Sequence, residues 1–173
     1  IIGDENVILE KNKKFFTENI IYMPNSFMPT DDSQIISEKK ITKPEEGLPE
    51  DSIVFCCFNK HYKITPKIFN LWIKILKSVK KSILWLNDAE NSTKLNLLKY
   101  SEKKGLDKNR IYFTKRSKNY SDYIAKHQLA DVFLDTSPFS AHSTGCASLI
   151  AGVPIITLQG ESFSNNVCSS LLK

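Results

Sequence analysis

The residues of this chain best suited to chemistry are small hydroxyls, an imidazole and nearby ammonium groups. Ser140-Ala141-His142-Ser143-Thr144-Gly145 follows an apolar run ending in Asp135 and opens a predicted helix. The first N–H groups of a helix lack partners within it and sit at the positive end of its dipole. Small side chains there leave a seat for an anion such as phosphate. Ser143 or Thr144 would serve equally as a helix cap, and His142 alone is compatible with a structural role. Lys63, just past another apolar run, is positioned to reach the same ligand, although taken alone it reads as a surface lysine. Asp135 is expected to hold the loop after its strand by accepting backbone N–H bonds. No Gly-x-Gly-x-x-Gly, no Gly-x-x-x-x-Gly-Lys-Ser/Thr and no strand-end Asp-x-Asp is present, so the common dinucleotide and P-loop signatures are excluded and no metal or other cofactor is implied.

The elements that must position these residues begin regularly at Asp51. Ile53 to Phe58 is a continuous apolar run, as expected of a strand buried on both faces. Thr65-Pro66 supplies a cap and a first-turn proline for a helix carrying Ile68, Leu71, Trp72, Ile75 and Leu76. Strands follow at Ser82 to Leu86, Arg110 to Phe113, Asp131 to Asp135 and Pro154 to Leu158. Helices are expected from Asn91 to Gly105, from Ser121 to His127, from Ser143 to Gly152 and from Ser164 onward. Alternation of this kind with short links predicts an α/β fold, a Rossmann-like doubly wound parallel sheet. Ligands of such sheets bind beyond the carboxyl ends of the strands. The strand-to-helix links are the polar, basic ones, with Lys60, His61, Lys63, Lys115, Arg116, Lys118, Tyr120, Ser140 and His142, whereas the helix-to-strand links are ordinary connectors. That asymmetry points to an anionic ligand.

Ahead of Asp51 the pattern is irregular. Asn6 to Thr17 suggests a short irregular helix and Ile20 to Met23 a strand. The stretch from Pro29 to Gly47 reads as a linker. The chain opens at Ile1 with no basic-then-apolar leader and reads as a piece of a longer protein. Its 24 Lys+Arg against 19 Asp+Glu give a net charge of +5, but the lysines are dispersed, which argues against a nucleic-acid stripe. No apolar run approaches the ~20 residues of a membrane span. The four cysteines, Cys56, Cys57, Cys146 and Cys168, show no metal-ligand spacing; they are expected as buried free thiols in a reducing, cytoplasmic setting.

Phe55-Cys56-Cys57-Phe58-Asn59-Lys60-His61-Tyr62-Lys63-Ile64-Thr65-Pro66 resembles the opening of the carboxyl-terminal catalytic lobe of the O-GlcNAc transferase family. Ser82 to Leu86, Asn109 to Phe113 and Leu129 to Thr136 continue the resemblance in order. It extends through Ala141-His142-Ser143-Thr144-Gly145, Ala151-Gly152-Val153-Pro154 and Gly160-Glu161. The resemblance implies the C-terminal lobe of a GT-B glycosyltransferase. Residues 1–50 would be the tail of the preceding N-terminal catalytic lobe plus linker, and residues 51–173 a nucleotide-sugar-binding lobe truncated at its C-terminus. It implies inverting, metal-independent transfer of a sugar from a nucleotide donor, N-acetylglucosamine from UDP-GlcNAc, to Ser or Thr hydroxyls of a protein acceptor. Tetratricopeptide repeats would lie upstream. Carried over by position, Lys63 matches the lysine on the donor diphosphate, and His142, Ser143 and Thr144 match the segment holding the phosphates. Tyr123 to Lys126 matches the helix beside base and ribose, with Lys118, Asn119 and Tyr120 lining the base; Lys60 completes the nucleotide-sugar set. The family's catalytic histidine lies in the other lobe, so this piece alone is expected to be inactive. Lys60 replaces a glutamine of the animal enzymes, Ala147 an aspartate near the nucleotide sugar, and Asn166 a usual arginine. Ala147 and Asn166 keep open a degenerate lobe that binds nucleotide or protein without transfer, and a nucleotide-sugar epimerase of similar architecture is a further rival.

Overall fold

Five short apolar runs determine the architecture of the computed structural model, which describes residues 1–173. They form strands β3 (Ile53–Cys57), β4 (Ser82–Leu86), β5 (Ile111–Phe113), β6 (Val132–Leu134) and β7 (Ile155–Ile156), all parallel, in the order β5-β4-β3-β6-β7. Every residue of β4, and all of β3 after Ile53, is buried. That explains the uninterrupted apolar sequence, because helices cover both faces of a parallel sheet. These are α1 (Pro66–Ser78), α2 (Asn91–Lys103), α3 (Tyr120–His127), α4 (Ser143–Ile150) and α5 (Phe163–Leu171). No helix is long and apolar enough to cross a membrane.

Local chemistry sets the helix limits. The Thr65 hydroxyl accepts the Ile68 N–H at 3.3 Å ahead of Pro66. Along α1, Ile68, Phe69, Trp72, Ile73 and Leu76 are buried against the sheet, the stripe expected at helical spacing. Gly105, with φ of 71°, follows α2 at the left-handed C′ position. Helix α3 begins one residue earlier than its periodicity suggests because Asn119 caps it, its Oδ1 accepting the Asp122 N–H at 2.8 Å. The paired part of β7 is shorter than the apolar run Pro154 to Leu158, with only Ile155 and Ile156 in the ladder. At the amino ends of the strands, the Arg110 guanidinium donates to the carbonyls of Leu76, Val79 and Ser82. It thereby satisfies the free carbonyls at the end of α1. Asp131 accepts the Val54 N–H at 2.7 Å. All four cysteines are free and buried.

The first residues form strands β1 (Ile2–Gly3) and β2 (Ile21–Tyr22), a parallel pair separate from the main sheet. The helix expected within Asn6 to Thr17 contracts to a 3-10 segment at Glu10–Phe15. Val7 and Ile8 pack on Val167 of α5. The Asp4 carboxylate accepts the N–H groups of Asn6, Val7 and Phe27 and the Ser170 hydroxyl. Burial alone would raise its pKa, but these donors outweigh that and hold it below the usual range. The polar segment before the sheet is also anchored. Leu48 joins the main core, and a short 3-10 turn at Pro44–Glu46 places Glu46 against α3.

Candidate functional site

The chain leaves β3, the centre of the sheet, toward β4 on one side and later returns to β6 on the other. The switch point therefore lies between β3 and β6, where a crevice opens beyond the carboxyl ends. The two loops flanking it are tied together. The Asn59 amide donates to Asp135 Oδ1 at 3.1 Å and to the Thr136 hydroxyl at 2.8 Å. Its carbonyl oxygen accepts the Thr144 hydroxyl of α4. Asp135 Oδ1 also accepts the N–H groups of Thr136 and Ala141, each at 2.7 Å, and Oδ2 accepts the Thr157 hydroxyl. Asp135 thus holds its loop as its strand-end position suggests, although burial raises its carboxyl pKa against the pull of those donors. The residue that sequence reasoning missed is Asn59. Its signal was its place, a polar side chain directly after an apolar central strand. Asn87, which follows β4 in the same way, donates to the Phe58 carbonyl at 3.2 Å and was missed for the same reason.

Against this scaffold, the Lys63 ammonium donates to the Ser140 carbonyl at 2.9 Å and sits 3.8 Å from the centroid of the Phe139 ring. Burial lowers its pKa, while the nearby Asp135 carboxylate works in the opposite direction. The lysine is therefore a fixed, half-buried cation at the mouth of α4. The N-cap of that helix is His142, which forms no side-chain cap bond. Ser143 and Thr144 are the first helical residues, so the reading of them as caps does not hold. The first bonds inside α4 run from the N–H groups of Gly145 and Cys146 to the His142 carbonyl, leaving the N–H groups of Ser143 and Thr144 ahead of the ladder. The His142 imidazole donates through Nε2 to the Ser164 carbonyl at 3.4 Å, and burial lowers its pKa.

A cleft of about 390 Å³ is bounded by Asn59, Lys60, Lys63, His142, Ser143 and Thr144. It adjoins a second cleft of about 650 Å³ bounded by Lys118, Asn119, Tyr120, Tyr123 and Lys126. Phe58, Lys60, Asn87 and Tyr123 border both, so together they form one trough across the strand ends. The trough is thus lined by Lys60, Lys63, Lys118, Asn119, Tyr120, Tyr123, Lys126, His142, Ser143 and Thr144, whereas His61 turns to the Asn87 carbonyl at 3.1 Å and Ser140 is buried beneath the rim. Within the trough, Tyr120 and Tyr123 stack at 5.8 Å, offering an aromatic wall. Burial pushes the Tyr123 hydroxyl pKa upward. Lys60, Lys115, Arg116 and Lys118 line the larger cleft with Asp88 as their acidic counterpart, which gives it a cationic character. The carboxamide of Asn119 is engaged in capping α3, and the Lys126 ammonium is turned to Glu46 at 3.0 Å. No group of three His, Cys, Asp or Glu side chains is arranged to hold a metal ion. Ala147 is buried in α4 and has no polar side-chain atom to offer a ligand; Asn166 is also buried, its Oδ1 accepting the Gly160 N–H at 2.8 Å and its Nδ2 unpartnered.

Beneath the aromatic wall lies His127, fully buried and edge-on to Phe58 and Tyr123. Its Nδ1 donates to the Tyr123 carbonyl at 2.9 Å, and its Nε2 is buried without a partner. Burial drives its pKa from 6.5 to about 4, only partly opposed by the Tyr123 carbonyl. The folded state thus excludes a proton that the unfolded chain accepts. The stability due to neutral His127 is complete above pH 6.5 and is lost as pH falls toward 4, about 3 kcal/mol in all at ~1.36 kcal/mol per unit. Thermal melts across that window should show a shallower pH slope for His127→Phe than for the wild-type chain.

Comparison with known proteins agrees with this geometry. The model of glycosyl transferase family 41 matches residues 35–173. The chain is 34% identical, over 99% of its length, to the probable UDP-N-acetylglucosamine–peptide N-acetylglucosaminyltransferase SEC of Arabidopsis thaliana, of which it spans 18%. It is 42% identical, over 76% of its length, to the UDP-N-acetylglucosamine–peptide N-acetylglucosaminyltransferase of Caenorhabditis elegans, of which it spans 11%. A variant of the O-GlcNAc transferase of Thermobaculum terrenum superposes with a TM-score of 0.83 at 26% identity, covering 99% of this chain and 32% of that one. The architecture is accordingly that of a lobe of a GT-B glycosyltransferase. With the family model covering the whole parallel sheet and its trough, the chain belongs to glycosyl transferase family 41.

Proposed function

We propose that the trough binds the donor of an inverting, metal-independent protein O-glycosyltransferase, with UDP-N-acetylglucosamine as donor and Ser or Thr hydroxyls of proteins as acceptors. The observation that carries this reading is the Lys63 ammonium bonded to Ser140 at the amino end of α4, at the narrow end of a trough whose wide end is aromatic and basic. A diphosphate fits the first end and a nucleoside the second. In the reaction the acceptor oxygen bonds to the anomeric carbon as the carbon–oxygen bond to the diphosphate breaks. The charge that builds on the departing diphosphate is met by Lys63 and by the free N–H groups of Ser143 and Thr144. The acceptor proton goes to a base on the preceding lobe, of which residues 1–50 supply the tail and the linker. Relatives named as UDP-N-acetylglucosamine–peptide transferases support the choice of donor and acceptor.

The test is a titration of UDP followed by amide NMR shifts. The expected result is perturbation at Lys63, at His142 to Thr144 and at Tyr123; unperturbed signals at millimolar ligand would overturn the reading. A lobe that binds nucleotide without transfer is the second reading, motivated by Ala147 and Asn166. Sugar transfer to a peptide mixture by the intact protein, read by mass spectrometry, separates the two.

A further inference from the structure

The wide end of the trough is braced by a segment outside the sheet and α-helices that does not itself line it. Glu46 and Lys126 meet with side chains only 8% and 9% exposed, their charged atoms 3.0 Å apart. Lys126 Nζ also donates to the Lys115 carbonyl at 2.6 Å. The second Glu46 oxygen lies 3.4 Å from both the Thr114 hydroxyl and the Lys115 N–H. The Lys115 ammonium returns to the Glu45 carbonyl at 2.8 Å. The turn that leaves β5 is therefore held by Glu45 and Glu46, which precede the sheet in sequence, together with Lys126 of α3. That same turn, with Lys115, Arg116 and Lys118, forms the wall of the wide end. A buried cation facing a ligand cleft needs a partner, and here the partner comes from the segment that joins the lobe to what precedes it.

We infer that Glu46 is a positioning residue for recognition of the nucleoside half of the donor: by holding Lys126 and bracing the Thr114–Lys115 turn, it fixes the shape and charge of the base end of the trough. This rests on the donor-cleft reading above. The contacts of the Glu46 carboxylate are with Lys126 and the Thr114–Lys115 turn, which line this end. The phosphate end is assembled by Asn59, Lys63, Asp135 and Thr144, through hydrogen bonds that do not involve it. Loss of Glu46 should therefore loosen one half of the site and spare the other.

Two probes divide the trough accordingly. UDP spans both ends, whereas inorganic pyrophosphate occupies only the phosphate end. Calorimetric titration of both into the full chain and its Glu46→Gln variant should show UDP binding weakened about tenfold in the variant, with pyrophosphate binding within about twofold. The variant Glu46→Gln/Lys126→Met leaves no unpaired buried charge. Because Glu46 acts through Lys126, which itself lines the wide end, this variant should bind UDP at least as weakly as Glu46→Gln does, with pyrophosphate binding again within about twofold. If the single variant does not fold, the double variant takes its place with the same split expected between the probes. Equal weakening of UDP and pyrophosphate, or unchanged UDP binding, would overturn the inference while leaving the donor cleft standing. A wild-type chain that binds neither probe would overturn the donor cleft itself, and this inference with it.

Discussion

On the proposed donor-cleft reading, replacing Lys63 by alanine should lower the turnover of the full-length enzyme by about a hundred- to a thousand-fold, the scale on which one preorganised charge-stabilising donor acts in a catalytic site. Three observations support an effect of this size. The ammonium is half-buried, so its field is screened less than that of a surface lysine. It is already oriented by the Ser140 carbonyl and the Phe139 ring, so little reorganisation accompanies charge build-up. The amino end of α4 lies beside it, so the two act on the same group. The loss should fall on kcat more than on donor affinity, because charge on the leaving diphosphate is greatest as its bond to the sugar breaks. Lys63→Arg should rescue little, since a longer guanidinium stacked on Phe139 does not return its charge to the place of the single ammonium held by the Ser140 carbonyl. Steady-state kinetics with varied donor decide the matter. A rise in KM at constant kcat would assign Lys63 to ground-state binding, and unchanged activity would remove it from the mechanism.

Asp135→Ala should be the most destabilising single change in the site, at about 3–5 kcal/mol. It strips the acceptor from the Asn59 amide, the Thr136 and Ala141 N–H groups and the Thr157 hydroxyl, all converging on one carboxylate that is 4% exposed. At roughly 2–4 °C per kcal/mol for a chain of this size, the melting midpoint should fall by about 10 °C. Asp135→Asn keeps one carbonyl oxygen and should lose less. Urea melts of the two variants provide the measurement. A loss below about 1 kcal/mol for alanine would show that the two rim loops are organised by something other than this carboxylate.

The contrast between Lys63 and Asn59 shows what the sequence could reveal. The central strands were legible because burial on both faces of a parallel sheet demands unbroken apolar runs, as in Ile53 to Cys57 and Ser82 to Leu86. From the alternation of those runs with helices came the crevice, and from the polarity of its loops the basic, hydroxyl-bearing rim. Lys63 and His142 to Thr144 could be placed on that rim because rim position depends only on element order. What element order does not encode is partnership across the rim. That Asn59 bridges to Asp135, Thr136 and Thr144 depends on the β3–β6 pairing, which brings together residues more than seventy positions apart. The polar run ahead of Asp51 reads as a linker by composition alone, which gives no sign that its Glu46 is a partner until α3 presents Lys126 to it. The one-residue shift in the start of α3 has a local cause, the capping side chain of Asn119.

The clamping of the sheet at both ends has a consequence for how this lobe could diversify. Arg110 and Asp131 lock the amino ends of the strands, and Asp135 locks the carboxyl ends at the switch point. Between Lys115, which Glu46 braces, and Asn119, which caps α3, the residues Arg116, Ser117 and Lys118 belong to neither clamp. Those three positions can be exchanged without touching the sheet, the helix cap or the clasp, so on the proposed donor-cleft reading a change of base preference needs only new surface side chains rather than a remodelling of the core.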